Sequence, residues 1–536
     1  MCLVAVTALS VLPDPFAKEK ITFSSQYNVE LGKPYPVIDG RKWYLRADEG
    51  VLCVKEQKGR WFIQKLSAQT LTQSSRKEYA DMPKDLVVEY IGYFGDKLMF
   101  FYSLWDKKNE REQLFYREID PVAGTFMGKA TKLLSINGKV TGSMMMSGFY
   151  RFQVTDKFDI LFSEDGKRML VQYDKKLDRK ERKEAAEAPK VLSMAVYGSS
   201  MELEWKQDVK MPYNTDKMAI KDFLIDNKGD LCLVASVYHG SATKAKDRED
   251  FEYAYEFIRS SGGGEWDITK LDLQPKGLRS MTLFEDKTGT LRAAGYYSND
   301  RKRSTVDGLF VSGFNSSDEM VNTGFYEIPN EIINMYTRAK EVKKNEKQEA
   351  KGEDIGFNHL TLSGIIQDDD GEILLIGEKQ YITVECTTDS RGNTRCYNVY
   401  HADDLLVSQL GANGQLKWMQ RIPKRVASRA PVANTYRYVY SNGMHHFIRF
   451  DVDRNVALAK DDTPTTKGEG IIMVDRIDEA TGNVEREAVC DVNEVGGIKL
   501  YQLGLNRLIR VGDNELVMEA YKKSKEDVLV RIQVKD

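Results

Sequence analysis

The residues that could do chemistry are few and lie far apart in the chain. Only five histidines occur among 536 residues. His239, His359 and His401 stand alone, whereas His445 and His446 are adjacent and would point to opposite sides of a strand. No spacing of cysteine and histidine is typical of a zinc site. The sequence therefore predicts no metal site.

Motifs for nucleophilic or nucleotide chemistry are missing as well. The chain has no G-x-S-x-G elbow and no Walker or Rossmann glycine pattern. The acidic run Asp368-Asp369-Asp370 could bind calcium, but it lacks the spaced ligands of an EF-hand. Gly371 follows directly, which is typical of a tight turn. We therefore expect no cofactor and name no catalytic residue.

Two cysteines offer a covalent link instead. Cys386 and Cys396 flank a nine-residue segment that is typical of a hairpin loop. If they face each other they can form a disulfide, which would fit an oxidising compartment. The alternative is a pair of free thiols on a surface loop. Cys53, Cys232 and Cys490 lie in apolar strand patterns and are expected in the core.

The elements that would position any site are marked by a recurring turn. Gly, Asn and Asp repeatedly precede a short apolar run, and these residues tolerate the positive φ angles of tight hairpins. Successive turn glycines lie 55 to 82 residues apart. The turns are at Gly40, Gly95, Gly166, Gly229, Gly289, Gly371, Gly443 and Gly512.

Four strand signals accompany each turn, which is typical of a propeller blade. The sequence predicts an all-β propeller of eight four-stranded antiparallel blades, with seven blades as the alternative. Two stacked all-β domains are a further alternative. The last unit is one strand short, and we expect the N-terminal run at residues 20–27 to supply it and close the ring.

One domain is expected over residues 18–536, with two charged insertions. Residues 174–190 are predicted to form a solvated helical or mobile excursion. A helical insertion is predicted at residues 330–354, where Asn330 would cap the helix and Ile332, Ile333 and Tyr336 would form a short apolar face.

The predicted insertions would all lie on one rim of the propeller. Most lie between the second and third strands of a blade, and the helix lies between blades, so both kinds of connection open onto one face. Insertions in repeat proteins cluster on one face, which is often the binding face. The candidate binding residues on it are Trp105, Tyr173, Tyr238, His239, Tyr296, Tyr297, Tyr381, Tyr400 and His401. The competing interpretation of the aromatic residues is packing between blades.

The N-terminus indicates export. Residues 1–17 are apolar and short, like a truncated signal peptide, and an envelope or periplasmic location follows, with the cytoplasm as the alternative. No apolar run is long enough for a transmembrane helix. A net charge of -3 favours neither nucleic acid nor an anionic membrane surface.

Two of the hairpin units resemble hairpins of a known group of proteins in a general way. The run from Gln367 to Gly371 before Glu-Ile-Leu-Leu, and the run from Gly411 to Trp418, resemble hairpins of the poorly characterised exported propeller proteins of Bacteroidetes envelopes. This resemblance implies an envelope scaffold or binding role. We therefore expect a non-enzymatic propeller that binds a protein partner or an envelope assembly. The alternative is a glycan-binding or glycan-active propeller whose carboxylates converge at the channel mouth.

Overall fold

The fold is seen in a computed structural model of the chain. The structure describes residues 22–535 except for short gaps, which are 49, 147–151, 187, 243–244, 250–251, 274, 389, 391, 432–434 and 502–503. The signal peptide predicted at residues 1–17 lies outside the described residues. Within the described residues, eight antiparallel sheets of four or more strands follow one another, as the prediction of eight blades requires.

The first strands belong to the closing segment and to blades one and two. The closing segment contains β1 (Tyr27–Leu31) and β2 (Tyr35–Pro36). Blade one contains β3 (Arg41–Ala47), β4 (Gly50–Gln57), β5 (Arg60–Ser67) and β6 (Thr72–Tyr79). Blade two contains β7 (Val87–Phe94), β8 (Lys97–Asp106), β9 (Arg111–Asp120) and a split outer strand, β10 (Thr125–Phe126) with β11 (Thr131–Asn137).

A separate hairpin leads into the next three blades. The hairpin contains β12 (Ser143–Met146) and β13 (Phe152–Thr155). Blade three contains β14 (Asp159–Phe162), β15 (Arg168–Tyr173), β16 (Pro189–Gly198) and β17 (Leu203–Asn214). Blade four contains β18 (Met218–Ile225), β19 (Asp230–Tyr238), β20 (Tyr253–Ser261) and β21 (Asp267–Leu271). Blade five contains β22 (Gly277–Glu285), β23 (Leu291–Ser298), β24 (Gly308–Phe314) and β25 (Met320–Glu327).

The last three blades include the longest strands. Blade six contains β26 (Leu360–Gln367), β27 (Ile373–Thr388), β28 (Thr394–Leu410) and β29 (Leu416–Ser428). Blade seven contains β30 (Arg437–Ser441), β31 (Met444–Val452), β32 (Gly470–Asp478) and β33 (Val484–Asp491). Blade eight contains β34 (Leu500–Tyr501) with β35 (Leu508–Arg510) as its split inner strand, then β36 (Glu515–Lys522) and β37 (Glu526–Val534).

The N-terminal segment closes the ring as predicted, but with other residues. β1 pairs with β37 as the fourth strand of blade eight, in a register that sets Tyr27 opposite Val534 and Leu31 opposite Val530. The closing strand is therefore Tyr27–Leu31 and not residues 20–27. Phe23, which lies in the predicted run, forms only an isolated bridge to Ala488 of blade seven. Pairing with β1 covers the edge that β37 would otherwise expose.

The first strand of each blade faces the central channel. First strands of successive blades contact one another around the axis, as β14 contacts β18, β18 contacts β22 and β22 contacts β26. The middle strands are buried on both sides because neighbouring sheets pack face to face. In β19, Cys232 and Val234 pack towards blade five, whereas Leu231 and Leu233 pack towards blade three. This two-sided burial explains why such strands are apolar at every position.

Seven of the eight predicted turns connect the first and second strands of a blade, and one does not. In blade one this connection runs from Ala47 to Gly50, so Asp39-Gly40 precedes β3. The turn predicted for blade one is therefore one strand too early. Asp39-Gly40 and the true connection, with Asp48 and Gly50, both have the aspartate and glycine that are typical of a hairpin turn.

Three α-helices interrupt the sheets in the part of the chain that the structure describes. They are α1 (Arg179–Ala186), α2 (Asn330–Asn334) and α3 (Ala339–Glu349). The single helix predicted at residues 330–354 is thus two helices, because Tyr336 adopts a positive φ of 55° between them. Pro329, and not Asn330, occupies the N-cap position of α2. Ile332 and Ile333 are buried, as their apolar pattern predicts. None of the helices in the described residues has the length and apolar character needed to cross a membrane.

The connections differ strongly between the two rims. Those from the second to the third strand, and those between blades, open onto one rim, which we call the loop-rich face. It carries α1, α2, α3 and the β12–β13 hairpin. The opposite rim, which we call the turn face, carries only the short first-to-second and third-to-fourth connections of the described chain.

Candidate functional site

The most prominent feature of the loop-rich face is a projecting two-stranded arm in blade six. We use "arm" for residues 381–388 and 394–400, the outer halves of β27 and β28. Pairing of β26 with β27 ends at Lys379, and pairing of β29 with β28 ends at Tyr400. Beyond these points the two strands pair only with each other, from Thr383 opposite Val399 to Thr388 opposite Thr394.

The arm corrects one expectation and confirms another. The segment between Cys386 and Cys396 was expected to be a hairpin loop, yet both strands extend past the cysteines, since β27 continues to Thr388 and β28 begins at Thr394. The alternation of apolar and polar residues from Tyr381 to Cys386 favours a strand. Cys386 lies directly opposite Cys396, and the two form the predicted disulfide. The link holds the two strands together near the tip of the arm.

One side of the arm is apolar and open to solvent. Ile382 and Val384 alternate along β27 and are 58% and 65% exposed. Their cross-strand partners are Tyr400 and Asn398, so these side chains share one face of the ribbon. Large aliphatic side chains at adjacent positions on one exposed strand face are typical of a contact surface.

The base of the arm is ordered by stacked rings. The ring of Tyr381 lies 4.4 Å from that of His401, nearly parallel to it, and 5.3 Å from that of His359. The Tyr381 hydroxyl donates to Asp403 Oδ2 over 2.9 Å, and Thr383 Oγ1 lies 2.8 Å from His401 Nε2. Burial raises the pKa of Tyr381 to about 12, with Asp403 adding to the effect, so the phenol stays a hydrogen-bond donor at neutral pH.

Buried ion pairs fix the strands from which the arm projects. Arg421 Nη2 lies 2.5 Å from Asp404 Oδ2, and Arg421 also donates to the carbonyl oxygen of Ile333 in α2 over 2.7 Å. Lys424 Nζ lies 2.6 Å from Glu378 Oε1. These contacts join β27, β28 and β29 to the helical insertion, so the root of the arm is rigid.

The predicted site residues are not gathered into one place. Four of the predicted tyrosines are buried, namely Tyr173, Tyr238, Tyr296 and Tyr297. Tyr238 packs on Tyr253 of its own blade, whereas the other three belong to the clusters between blades. This is the packing role that the sequence left open for the aromatic residues. Trp105 is partly exposed on blade two, where the Lys139 ammonium lies 5.3 Å from its ring centre. His239, on blade four, has its Nε2 2.6 Å from Glu256 Oε1.

Only blade six brings several of the predicted residues together. Tyr381, Tyr400 and His401 all belong to the arm and its base. The sequence did not single out Ile382 and Val384, although their alternation with Thr383 and Glu385 was a strand signal that could have identified them.

The remaining histidines lie in the core. His445 and His446 are buried on β31, where they contact different partners, as their adjacency on a strand predicts. His445 Nδ1 is 2.9 Å from the Tyr438 hydroxyl, and His446 Nδ1 is 2.8 Å from that of Tyr27. Burial lowers the pKa of both imidazoles to about 4.

The acidic run on the turn face forms a turn, as predicted. Asp368 Oδ1 accepts the backbone N–H groups of Asp370 and Glu372. Carboxylate oxygens of Asp368, Glu372 and Glu479 come within 4.8 Å of one another. Because Asp368 serves the turn and Glu372 accepts from Lys417 and Gln409, these groups are already used as hydrogen-bond acceptors.

Comparison with known proteins yields structural similarity alone. No protein-family model and no curated protein matches the chain. An uncharacterised protein from Listeria monocytogenes is 8% identical over 91% of this chain and 97% of that one, with a TM-score of 0.34. The β-propeller domain of the Trilobed protease from Pyrococcus furiosus is 9% identical over 89% and 98%, with a TM-score of 0.33. A protein of unknown function from Bacteroides caccae is 9% identical over 72% and 94%, with a TM-score of 0.27. Such distant similarities assign no activity and identify no envelope family.

Proposed function

We propose that this protein is a non-enzymatic binding propeller that is exported to the periplasm or the outer-membrane surface. Its loop-rich face holds a protein partner or an envelope assembly, and the arm is the main contact. The observation that carries the proposal is the exposed apolar side of the arm, made by Ile382 and Val384 on a disulfide-linked ribbon.

The geometry of the arm favours a protein as the partner. A rigid, pre-ordered surface loses little conformational entropy on binding. Beyond Gln380 and Tyr400 both edges of the ribbon are unpaired within the described residues, so a partner strand could add to either edge by main-chain hydrogen bonds. The exposed aliphatic residues would then supply the side-chain contacts.

The disulfide and the resemblance to envelope propellers support the location. Disulfides persist in oxidising compartments and are rare where thiols are kept reduced. Cys386 and Cys396 are linked on an exposed segment, where a reducing environment would reach them.

The experiment is affinity capture from native envelope extracts with matched variants. Ile382→Asp/Val384→Asp removes the apolar side of the arm without touching the blades. Val122→Asp/Leu203→Asp makes the same change on the turn face, where these residues are 64% and 52% exposed. We expect the wild-type protein and the turn-face variant to retain the same partner, and the arm variant to lose it by about tenfold or more, the effect of removing a central apolar contact.

Two outcomes would contradict the proposal. One is capture of the same partner by the arm variant at wild-type yield. The other is glycan hydrolysis by the wild-type protein in a glycan screen, which would support the glycan-active alternative.

A further inference from the structure

A cavity of about 380 Å³ opens between the inner strands of blades five and six. Thr282, Phe284 and Glu285 line it from β22, and residues 362–365 and Gln367 line it from β26. Glu164, in the turn between β14 and β15, lines it from blade three. Since Glu164 and Glu285 both stand at first-to-second-strand connections, the cavity reaches the turn-face end of the channel. Its volume is in the range of small-molecule sites.

The two carboxylates of the cavity have no cationic partner among the described residues. Glu285 is only 7% exposed, and its Oε2 accepts the backbone N–H of Asn227 over 2.7 Å. No other hydrogen bond or ion pair of the described residues reaches the carboxylate of Glu285 or of Glu164. Lys287 is the one basic residue of the described lining, and its ammonium is bound to Asp369. The lining therefore holds uncompensated negative charge.

The charges just outside the lining do not change this balance. Asp226 is paired with Arg259 at 2.7 Å, and Asp165 is paired with Lys167 at 3.2 Å. Both acids add to the negative potential at Glu285, and each is already paired with its own cation.

We propose that this cavity binds a small organic cation, a primary ammonium or guanidinium group on a short apolar stem. The cationic head would lie against Glu285 and Glu164, where it replaces the missing counter-ion. The hydroxyls of Thr282 and Ser363 offer further acceptors for its N–H groups. Leu362, Ile365 and the ring of Phe284 give the lining apolar surface for the stem. This site is independent of the arm on the opposite face.

Binding of a cation against Glu285 should depend on pH. Burial raises the pKa of Glu285 to about 7. The hydrogen bond from the Asn227 N–H opposes this shift, and the negative charges of Asp226, Asp165 and Glu164 add to it. A cation binds the ionised carboxylate, so affinity rises with pH through this range. Between about pH 8 and about pH 5.5 the ionised fraction of a group with this pKa falls about 30-fold. Because Glu285→Gln mimics the protonated side chain, we expect affinity to fall towards that of this variant, by up to about tenfold.

The test is a titration of the full-length protein with n-butylamine, followed by NMR, with n-butanol as the uncharged analogue. We expect the amine to bind at about pH 8 at least about tenfold more tightly than the alcohol. Glu285→Gln and, separately, the exposed Glu164→Gln should each weaken amine binding by about tenfold. The control Glu78→Gln removes an exposed carboxylate on β6 and should leave binding unchanged. A thermal melt of each variant verifies folding.

Equal binding of amine and alcohol would overturn the proposal. So would amine binding that is unchanged in Glu164→Gln and folded Glu285→Gln, or affinity that is the same at both pH values.

Discussion

Lys55 and Glu519 face each other between blades one and eight, and both side chains are fully buried. Lys55 Nζ lies 2.5 Å from Glu519 Oε1, and Lys42 Nζ lies 2.8 Å from Oε2. The hydroxyls of Tyr35 and Tyr44 each donate to the same carboxylate over 2.6 Å. Burial alone would raise the pKa of Glu519, but the two ammonium groups overcome it and lower the pKa to about 2. Charge, and not only apolar packing, therefore joins the last blade to the first.

Replacing Lys55 should destabilise the protein strongly. Lys55→Met leaves Glu519 and Asp527 buried with too little positive charge, which costs about 3–5 kcal/mol. Urea unfolding followed by circular dichroism measures the change. Adding Glu519→Gln to this variant should recover part of the loss, because it removes the uncompensated charge. The exposed Lys77→Met is the control and should stay within about 0.5 kcal/mol of wild type. A fully stable Lys55→Met protein would contradict this account of the contact.

The same ion pair makes the stability of the folded protein decrease in acid. The pKa of Glu519 is lower in the folded protein than its ordinary value of 4.5. Its contribution to stability is therefore complete above that value and is lost as the pH falls towards about 2.

Among the elements, β27 and β28 differ most from the others. They are 16 and 17 residues long, about twice the usual strand of this protein, because each continues into the arm. None of the described residues of the arm belongs to a hydrophobic cluster between blades. The stability of the arm should therefore be local and depend on the Cys386–Cys396 link.

Removing that link should loosen the arm and leave the ring intact. In Cys386→Ser/Cys396→Ser we expect the free energy of unfolding to change by less than about 1 kcal/mol, because the arm opens separately from the blades. Limited trypsin digestion should cut after Arg395 several-fold faster than in wild type. Cleavage in the β8–β9 turn, after Lys107 or Lys108, is the internal control and should keep its rate. Equal cleavage at Arg395 in both proteins would show that the link does not order the arm.

The sequence reveals some elements better than others. Gly371 and Gly443 identify their hairpins in the sequence because only a few residue types accept the positive φ that these turns require. The break between α2 and α3 leaves no such trace, since it depends on the Tyr336 N–H donating to the Lys460 carbonyl oxygen of blade seven, a contact between distant segments. The root of the arm likewise depends on Arg421 reaching Asp404 and α2.

For the whole molecule, repetition made the ring predictable. Each blade repeats the same hairpin signal, and a missing strand at one end matches a spare strand at the other. The cavity could not be predicted in this way. Glu164 and Glu285 lie in different blades, and only the closed ring brings them to one channel. Residues that converge across blades carry no common spacing in the sequence.

Closure of the ring should depend on Tyr27. This residue is buried at the start of β1, and its hydroxyl lies 2.8 Å from His446 Nδ1 of blade seven. Tyr27→Ala removes a large core side chain and should cost about 3–5 kcal/mol. Asn28→Ala, at the next and more exposed position, is the control and should have little effect. Thermal unfolding of the two variants makes the comparison, and equal melting temperatures would contradict the assigned role of β1.

Binding of the partner by the arm of the loop-rich face should protect the backbone amides of the arm from exchange with solvent. Hydrogen–deuterium exchange of the full-length protein, alone and with its captured partner, tests this most directly. We expect the partner to slow exchange in residues 381–388 and 394–400 and to leave exchange in the turns around Gly95, Gly229 and Gly443 unchanged. Slower exchange in those turns, with none in the arm, would contradict it.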